Sequence, residues 1–302
     1  MLDLAIVGGG PAGASAAVYA RRFEMKTALL FREPGGLIST AHLVENWPGI
    51  PSISGFELGE KLLKHARGVG AEEIFAEVSA IEKEAGGTFL LRAAGGKEIR
   101  ARAVLLASGT FPRKLGVPGE AELLGKGVSY CATCDGPFFK GKRVAVIGGS
   151  DSCCNEAEFL ADLAEKVFLI YRREELRAEP ANRARVEKNP KIEMILSATP
   201  RAILGKEKVE GFRFERAGKE EDLKVDGVFV AIGREPMTGL LDGVEVEFSE
   251  RGEVLVDEKK MTKTPGLFAA GDVVPGIKQA IIAAASGVEA VFGAREWLRK
   301  SN

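Results

Sequence analysis

The shortages in this sequence narrow its class before any motif is read. Only four cysteines occur in 302 residues, far too few for a disulfide-stapled scaffold. A close pair of them therefore points to catalysis or metal binding in a reducing compartment. Charge of one sign is also missing: 42 basic residues face 43 acidic ones, a formal net charge of −1. Such a balance creates no field to gather nucleic acid, anionic lipid or other polyanions, so no nucleic-acid partner is expected. Long hydrophobic runs are absent too. The longest, Ala280 to Ala294, carries Glu289 and two glycines and falls short of the ~20 residues of a membrane span. The first residues, MLDLAIVGGGPAG, lack a basic leader and run from an apolar segment straight into glycines. They read as structure and not as an export signal, and a cytoplasmic protein is expected. Glutamine is nearly missing, with Gln279 alone beside five asparagines, a bias common among thermophile proteins. What remains, 45% hydrophobic and 28% charged, is ordinary globular material with room for about two domains.

The strongest positive signal is an internal repeat. Shifted by 140 residues, Leu4 to Gly10 lies over Val144 to Ser150, and each copy leads from an apolar run through a glycine turn into a helix-like stretch. A second apolar run follows at the same offset, Thr27 to Phe31 and Val167 to Tyr171. Strand, glycine turn, helix and strand make the dinucleotide-binding unit that sets a pyrophosphate against a helix N-terminus. In the first copy Gly8, Gly10 and Gly13 fill the fingerprint, and Glu33 lies 20 residues past Gly13, where a carboxylate accepts ribose hydroxyls. The plainer reading, a tight turn that binds nothing, is outweighed by that context.

The second copy is less regular, with Ser150 at the close-approach position and Cys153 at the helix-packing position. Its register places Arg173 over Glu33 and Arg172 over Arg32, with Arg177 nearby. A guanidinium there pairs with a 2′-phosphate that a glutamate would repel. The first unit thus suits a dinucleotide with free hydroxyls such as FAD, and the second suits NADPH. The alternative for the three arginines is a solvated basic loop beside Glu174 and Glu175.

Three further apolar runs end in glycine: Val104 to Gly109, Val228 to Gly233 and Leu267 to Gly271, the last followed by Asp272. Each reads as a buried strand delivering backbone to a ligand. Asp272 suits a ribityl or ribose hydroxyl, or the cap of a helix from about Lys278 to Leu298. The predicted fold is α/β, two Rossmann-like dinucleotide-binding domains in a three-layer ββα arrangement. The FAD domain, residues 1–113 and 241–302, is discontinuous around an inserted NAD(P)H domain, residues 114–240.

Between the two units stands Tyr130-Cys131-Ala132-Thr133-Cys134-Asp135-Gly136. Two intervening residues let a small disulfide ring close and often lower one thiol pKa. Asp135 is the adjacent candidate for proton transfer. Half of a zinc site is the alternative, but Cys153 and Cys154 are badly spaced for a knuckle and His42 and His65 are distant. No metal is therefore expected. Cys153 and Cys154 read as small core hydrophobes, with a redox role as the lesser alternative.

These motifs resemble the low-molecular-weight thioredoxin reductases over essentially the full chain. The matching segments are GGGPAG (Gly8 to Gly13), PGG (Pro34 to Gly36), VENWPG (Val44 to Gly49), CATCDG (Cys131 to Gly136), the arginines, AAGDV (Ala269 to Val273) and KQA (Lys278 to Ala280). The resemblance implies a homodimer passing electrons from NADPH through FAD to the CxxC disulfide and then to a thioredoxin-like protein. It implies that Cys134 faces the flavin, that Cys131 attacks the partner and that Asp135 is the acid/base. FAD would be held by Gly8, Gly10, Pro11, Ala12, Gly13, Glu33, Gly36, Leu37, Asn46, Val78, Ala107 and Gly109, with Asp272, Lys278, Gln279 and Ala280 at the ribityl chain and ring. NADPH would be held by Gly148, Gly149, Ser150, Asp151, Ser152, Arg172, Arg173 and Arg177. Family members turn the NADPH domain between two poses, a motion expected here about crossings near Arg113 and Leu240.

Some residues depart from the family pattern. Leu37 replaces a usual Gln, Lys278 a usual Arg and Tyr171 a usual His, while Ser150 and Cys153 replace Gly and Ala. A side chain at position 150 crowds the pyrophosphate, which keeps two rival enzymes in view: a relative fed by ferredoxin or reduced flavin, and a dithiol oxidase. A flavin-bound redox sensor without turnover is the rival from another class.

Overall fold

The computed structural model describes residues 1–41, 44 and 46–301. The expectations on His42 and on Glu45 of the VENWPG segment lie outside the described residues, as does the side chain of Cys134. The chain divides into two compact units, Met1–Phe111 with Glu235–Asn302, and Pro112–Arg234.

The first unit opens with β1 (Leu2–Val7), α1 (Pro11–Arg22) and β2 (Thr27–Phe31). All five residues of β2 are buried, the pattern of a parallel strand covered on both faces. Helix α2 (Gly55–Gly68) starts at a capping box between Ser54 and Glu57, which satisfies two otherwise orphaned amides. It leads into β3 (Glu72–Phe75). Strands β4 (Val78–Lys83) and β5 (Phe89–Ala93) form an antiparallel meander with β6 (Lys97–Leu106), whose second half runs parallel to β1. The sheet order is β3-β2-β1-β6-β5-β4. Strand β7 (Thr110–Pro112) then crosses to the second unit.

That unit contains β8 (Val128–Ser129), α3 (Ala132–Asp135), β9 (Arg143–Ile147), α4 (Asp151–Leu163), β10 (Lys166–Ile170), α5 (Pro180–Lys188) and β11 (Ile192–Ile195). An antiparallel sheet of β12 (Thr199–Leu204), β13 (Gly211–Arg216) and β14 (Lys219–Leu223) follows, and β15 (Gly227–Val230) returns to the parallel sheet in the order β11-β10-β9-β15-β8. Strand β16 (Arg234–Pro236) pairs with β7 at the return crossing. The chain then adds β17 (Leu267–Ala269) beside β6 and closes with α6 (Ala280–Lys300). The return falls ahead of Leu240 because Leu240 and Leu241 pack in the first unit's core.

The repeat extends to the faces of the strands. In β1, Leu4 and Ile6 pack with the alanines of α1 and α6, while Ala5 and Val7 face Phe89 and Leu91 of the meander. In β9, Val144 and Val146 pack with Ala157 and Leu160 of α4, while Ala145 and Ile147 face Phe212 and Phe214 of the antiparallel sheet. Period-two alternation thus builds a helix layer, a parallel layer and an antiparallel layer in both units. Among the described residues no helix is long and apolar enough to cross a membrane.

Candidate functional site: two nucleotide turns and a redox segment

In the first unit the parallel strands deliver the candidate residues to one edge, at their carboxyl ends, where open α/β sheets bind ligands. Gly8 follows β1 with φ +123°, and a Cβ there would sit 2.0 Å from the Ala107 carbonyl oxygen. At Gly13 a Cβ would sit 1.8 Å from the Gly8 oxygen, so α1 can approach the strand only as glycine. Gly10 differs. Its backbone is extended (φ −77°), a conformation open to any residue, and a Cβ would find nothing nearer than Gly35 O at 3.7 Å. The space beside Gly10 is a cradle, not a protein contact. Helix α1 has Pro11 in its first turn, no acidic residue there and no side-chain cap, so its amides remain available to an anion. This combination fits the pyrophosphate of FAD.

Other candidates surround that cradle. Gly36 (φ +61°) would place a Cβ 2.9 Å from Gly10 Cα, and Leu37 follows in the turn Gly36–Thr40. Glu33 lies two residues past the end of β2, 72% exposed and paired with Arg32 at 2.7 Å. Exposed pairs are weak, so that carboxylate is free to turn to ribose hydroxyls. Val78 opens β4, the Ala107 amide donates to Val7 O at 2.7 Å, and Gly109 has φ +72°. Asp272 lies in the turn Gly271–Val273, which Ser286 of α6 holds by accepting from the Gly271 amide at 2.9 Å.

Lys278 donates to Glu253 Oε1 at 2.7 Å and to the carbonyls of Asp272 and Val274, which occupies all three ammonium donors. Burial pushes the Glu253 carboxyl up, but the bonds from Lys278 and Ser249 and the Arg251 charge outweigh it, leaving the group below its ordinary value. Gln279 caps α6 just before Ala280, and its Oε1 accepts from Asn46 Nδ2 at 3.1 Å. The fold thus joins two candidates from opposite ends of the sequence.

The second unit repeats the turn with substitutions. Gly148 (φ +153°) would place a Cβ 2.3 Å from Ala231 O, and Gly149 would meet the Tyr171 ring at 2.6 Å, as Gly9 meets Phe31 at 2.7 Å. Tyr171 therefore takes the place of Phe31. Ser150 adopts the same extended backbone as Gly10 (φ −96°) without capping α4. Asp151 and Ser152 begin the helix, and the Asp151 carboxylate accepts from the Glu179 amide at 2.7 Å and from Asn182 Nδ2 at 2.6 Å. These bonds hold it below the usual carboxylate range. Cys153 and Cys154 are fully buried and free. Burial, with the nearby carboxylates, raises both thiols, so they pack as small hydrophobes in their protonated form. Arg172, Arg173 and Arg177 are exposed. Among the described residues their guanidinium groups have no partner, the property a 2′-phosphate site needs.

The redox segment lies at the same edge of this second sheet, since Cys131 follows the carboxyl end of β8. Cys131 is disulfide-bonded. Its amide donates to Ser129 Oγ at 3.0 Å, its Sγ lies 3.3 Å from Thr133 Oγ1, and the Asp135 amide donates to its carbonyl at 3.1 Å. Gly136 lets this helix sit against α4, where a Cβ would lie 2.9 Å from the Phe159 ring. Two supports gave no sequence signal. Tyr130 donates to buried Glu120 at 2.7 Å, and Glu120 also accepts from the amides of Leu115 and Gly116 at 2.6 and 2.7 Å. Burial and the bond to Glu120 raise the Tyr130 hydroxyl, keeping it a donor. Glu156 of α4 was also unmarked by any motif; burial pushes it up to about 7 against the pull of Arg234.

Residues 2–287 match the family model described as pyridine nucleotide-disulphide oxidoreductase. The chain is 39% identical over 290 residues to the thioredoxin reductase of Bacillus subtilis, covering 94% of this chain and 91% of the relative. It is 40% identical over 301 residues to that of Treponema pallidum, covering 98% and 97%. A crystal structure of Lactococcus lactis thioredoxin reductase is similar at a TM-score of 0.93 and 33% identity, across 99% of this chain and 100% of that one.

Proposed function

The chain belongs to the pyridine nucleotide-disulphide oxidoreductases, and from that premise we propose a thioredoxin-disulfide reductase that uses NADPH and FAD to reduce a thioredoxin-like protein. The observation that carries this reading is the oxidised Cys131 held at the ligand-binding edge of a nucleotide unit. FAD and NADPH, when bound, supply the hydride chemistry that reduces the disulfide. The first unit's turn at Gly8 to Gly13, with Glu33, Asp272 and Gln279, would hold FAD. The turn at Gly148 to Ser152, with the three arginines, would hold NADPH, and their unpaired charge favours it over NADH.

In the reduced state the Cys131 thiolate attacks one sulfur of the partner disulfide. The partner's S–S bond breaks and its second sulfur leaves as a thiolate that takes a proton, for which Asp135, next to Cys134 in sequence, is the proposed donor. Cys134 then attacks Cys131, releasing the partner as a dithiol and restoring the protein disulfide. The two electrons pass to the partner. Phe138, 73% exposed just beyond the redox helix, supports a protein substrate, since an exposed aromatic ring is a common interface anchor.

A homodimer fits the apolar groove that α1, α2 and α6 leave on the first unit, lined by Val18, Tyr19, Leu62, Ile281 and Val288. Phe292, 53% exposed beside Tyr19 and Phe23, extends it. A cytoplasmic setting fits the demand for NADPH. Anaerobic titration of the purified yellow protein is the test: NADPH should bleach the flavin at far lower concentration than NADH. Cys131→Ser should keep that bleaching and lose more than about 1000-fold of thioredoxin turnover. Bleaching by dithionite alone would sink the NADPH reading and turn attention to another donor.

A further inference from the structure

We propose that Asp151 is a positioning residue for nucleotide selectivity: its carboxylate holds the basic loop of Arg172, Arg173 and Arg177 against the glycine turn, and so sets the preference for a 2′-phosphate over a 2′-hydroxyl. The inference rests on the reading of those arginines given above. An acid in the first turn of a dinucleotide-binding helix is unexpected, because it would repel the pyrophosphate that the helix end attracts. The conflict is resolved by where the carboxylate goes. Its Oδ1 accepts from the Glu179 amide at 2.7 Å and from Asn182 Nδ2 at 2.6 Å, and both donors belong to the segment that ends the arginine loop and begins α5.

The loop is tied at each end through its backbone. At its start the Ala198 amide donates to Tyr171 O and the Ser197 amide to Arg173 O, each at 3.0 Å. At its end the Arg177 amide donates to Gly149 O at 2.7 Å, and Asp151 takes the Glu179 amide. None of these bonds uses a guanidinium, so the backbone is fixed while the cations stay available. Helix α5 cannot supply the fixing by apolar burial, because Val186 is its only buried residue. It is docked on α4 by a polar seam in which Arg185 donates to Glu158 and Asn155 of α4 and, within α5, to Asn182. Arg185 is 54% exposed against 27% for Glu158, and an ion pair open to solvent on one side is weakened by screening. The bonds to Asp151 are short, charge-assisted and the ones nearest the loop, at 2.7 and 2.6 Å. Guanidinium recognition of phosphate is geometrically strict, so a loop released there loses selectivity before it loses charge.

The test uses the flavin-loaded full chain and two probes that lack the nicotinamide, 2′,5′-ADP and 5′-ADP, with binding followed by calorimetry. Asp151→Ala should weaken 2′,5′-ADP about tenfold, the worth of a lost bond to a charged group, and change 5′-ADP far less. Hydrogen exchange at the Arg177 and Glu179 amides should accelerate in the same variant. Asp151→Asn retains an oxygen acceptor and should restore both the ratio and the protection. Equal weakening of the two probes, unchanged exchange in the alanine variant, or failure of asparagine to rescue would each overturn the inference. A wild-type protein that binds both probes equally would instead overturn the 2′-phosphate reading of the loop.

Discussion

Two residues past its second strand the first unit carries Glu33, already paired with Arg32 at 2.7 Å, whereas the second unit sets out the guanidinium groups of Arg172 and Arg173 with no partner among the described residues. The turns ahead of them differ as well. Gly13 admits no side chain, since a Cβ would sit 1.8 Å from Gly8 O. At the matching position Cys153 places a whole side chain, fully buried. Yet the first strand of each unit alternates in the same way between the helix layer and the antiparallel layer. The difference teaches that packing rules preserve the frame, while the few atoms facing the ligand decide which nucleotide each frame can take.

The sharpest way to break this comparison is to treat both helix-packing positions alike. Gly13→Ala should cost about 3 kcal/mol or more and empty the first unit of FAD, because the clash is with backbone. Cys153→Ala should cost about 1 kcal/mol and leave FAD in place. Urea midpoints and flavin absorbance of the purified variants report both, and equal costs would show that the two helices approach their strands equally. Next in size, Arg173→Glu imposes the first unit's charge on the second. The KM for NADPH should rise about 100-fold with little change for NADH, and steady-state kinetics with each nucleotide decide it.

A third difference is internal. In the 140-residue register Glu156 matches Ala16, a fully buried alanine. Burial pushes Glu156 up to about 7, and among the described residues its Oε2 has no hydrogen-bond partner. In the unfolded chain the group titrates near ~4.3. Between those values the folded state holds one proton more, so stability is greatest at the acid end of the window and falls as pH rises towards 7. Glu156→Gln should abolish this decline. Relative to the variant, wild type should lose about 2 kcal/mol between pH 5 and pH 8, and a parallel pH dependence of the two urea midpoints would refute it. The smallest effect expected is at Ser150. Ser150→Gly should tighten NADPH binding about threefold by removing a side chain from the close approach, and a fluorescence titration measures it.

Much of this was legible in the chain. The repeat located both turns, and Thr27 to Phe31 is the second strand to the residue, because buried parallel strands are uninterrupted apolar runs bounded by polar residues. The charge swap at Glu33 and Arg173 was legible because loop ends after strands stand at fixed distances from the turn. Bonds made across long separations were not. Lys278 with Glu253, Asp151 with Glu179, Asn46 with Gln279 and Tyr130 with Glu120 pair polar residues that follow no period. Glu156 likewise sits among helix positions whose spacing suits an exposed acid as well as a buried one. The return crossing at Arg234–Glu235 was obscured because Leu240 and Leu241 are equally plausible in either core until the fold is known.

A Cβ at Gly287 would sit 2.1 Å from the Ala12 carbonyl oxygen, so α6 meets α1 backbone to backbone, near the far end of the sequence from where the first unit began. During synthesis the two ends are made at different times. The second unit is one unbroken stretch, Pro112–Arg234, and can close as soon as it emerges, since domains form as units while the chain is still growing. The first unit waits for α6, its alanine-lined face uncovered until that helix arrives. The nucleotide fold begun second can therefore close before the one begun first, whose core needs a helix encoded after the whole of the second unit.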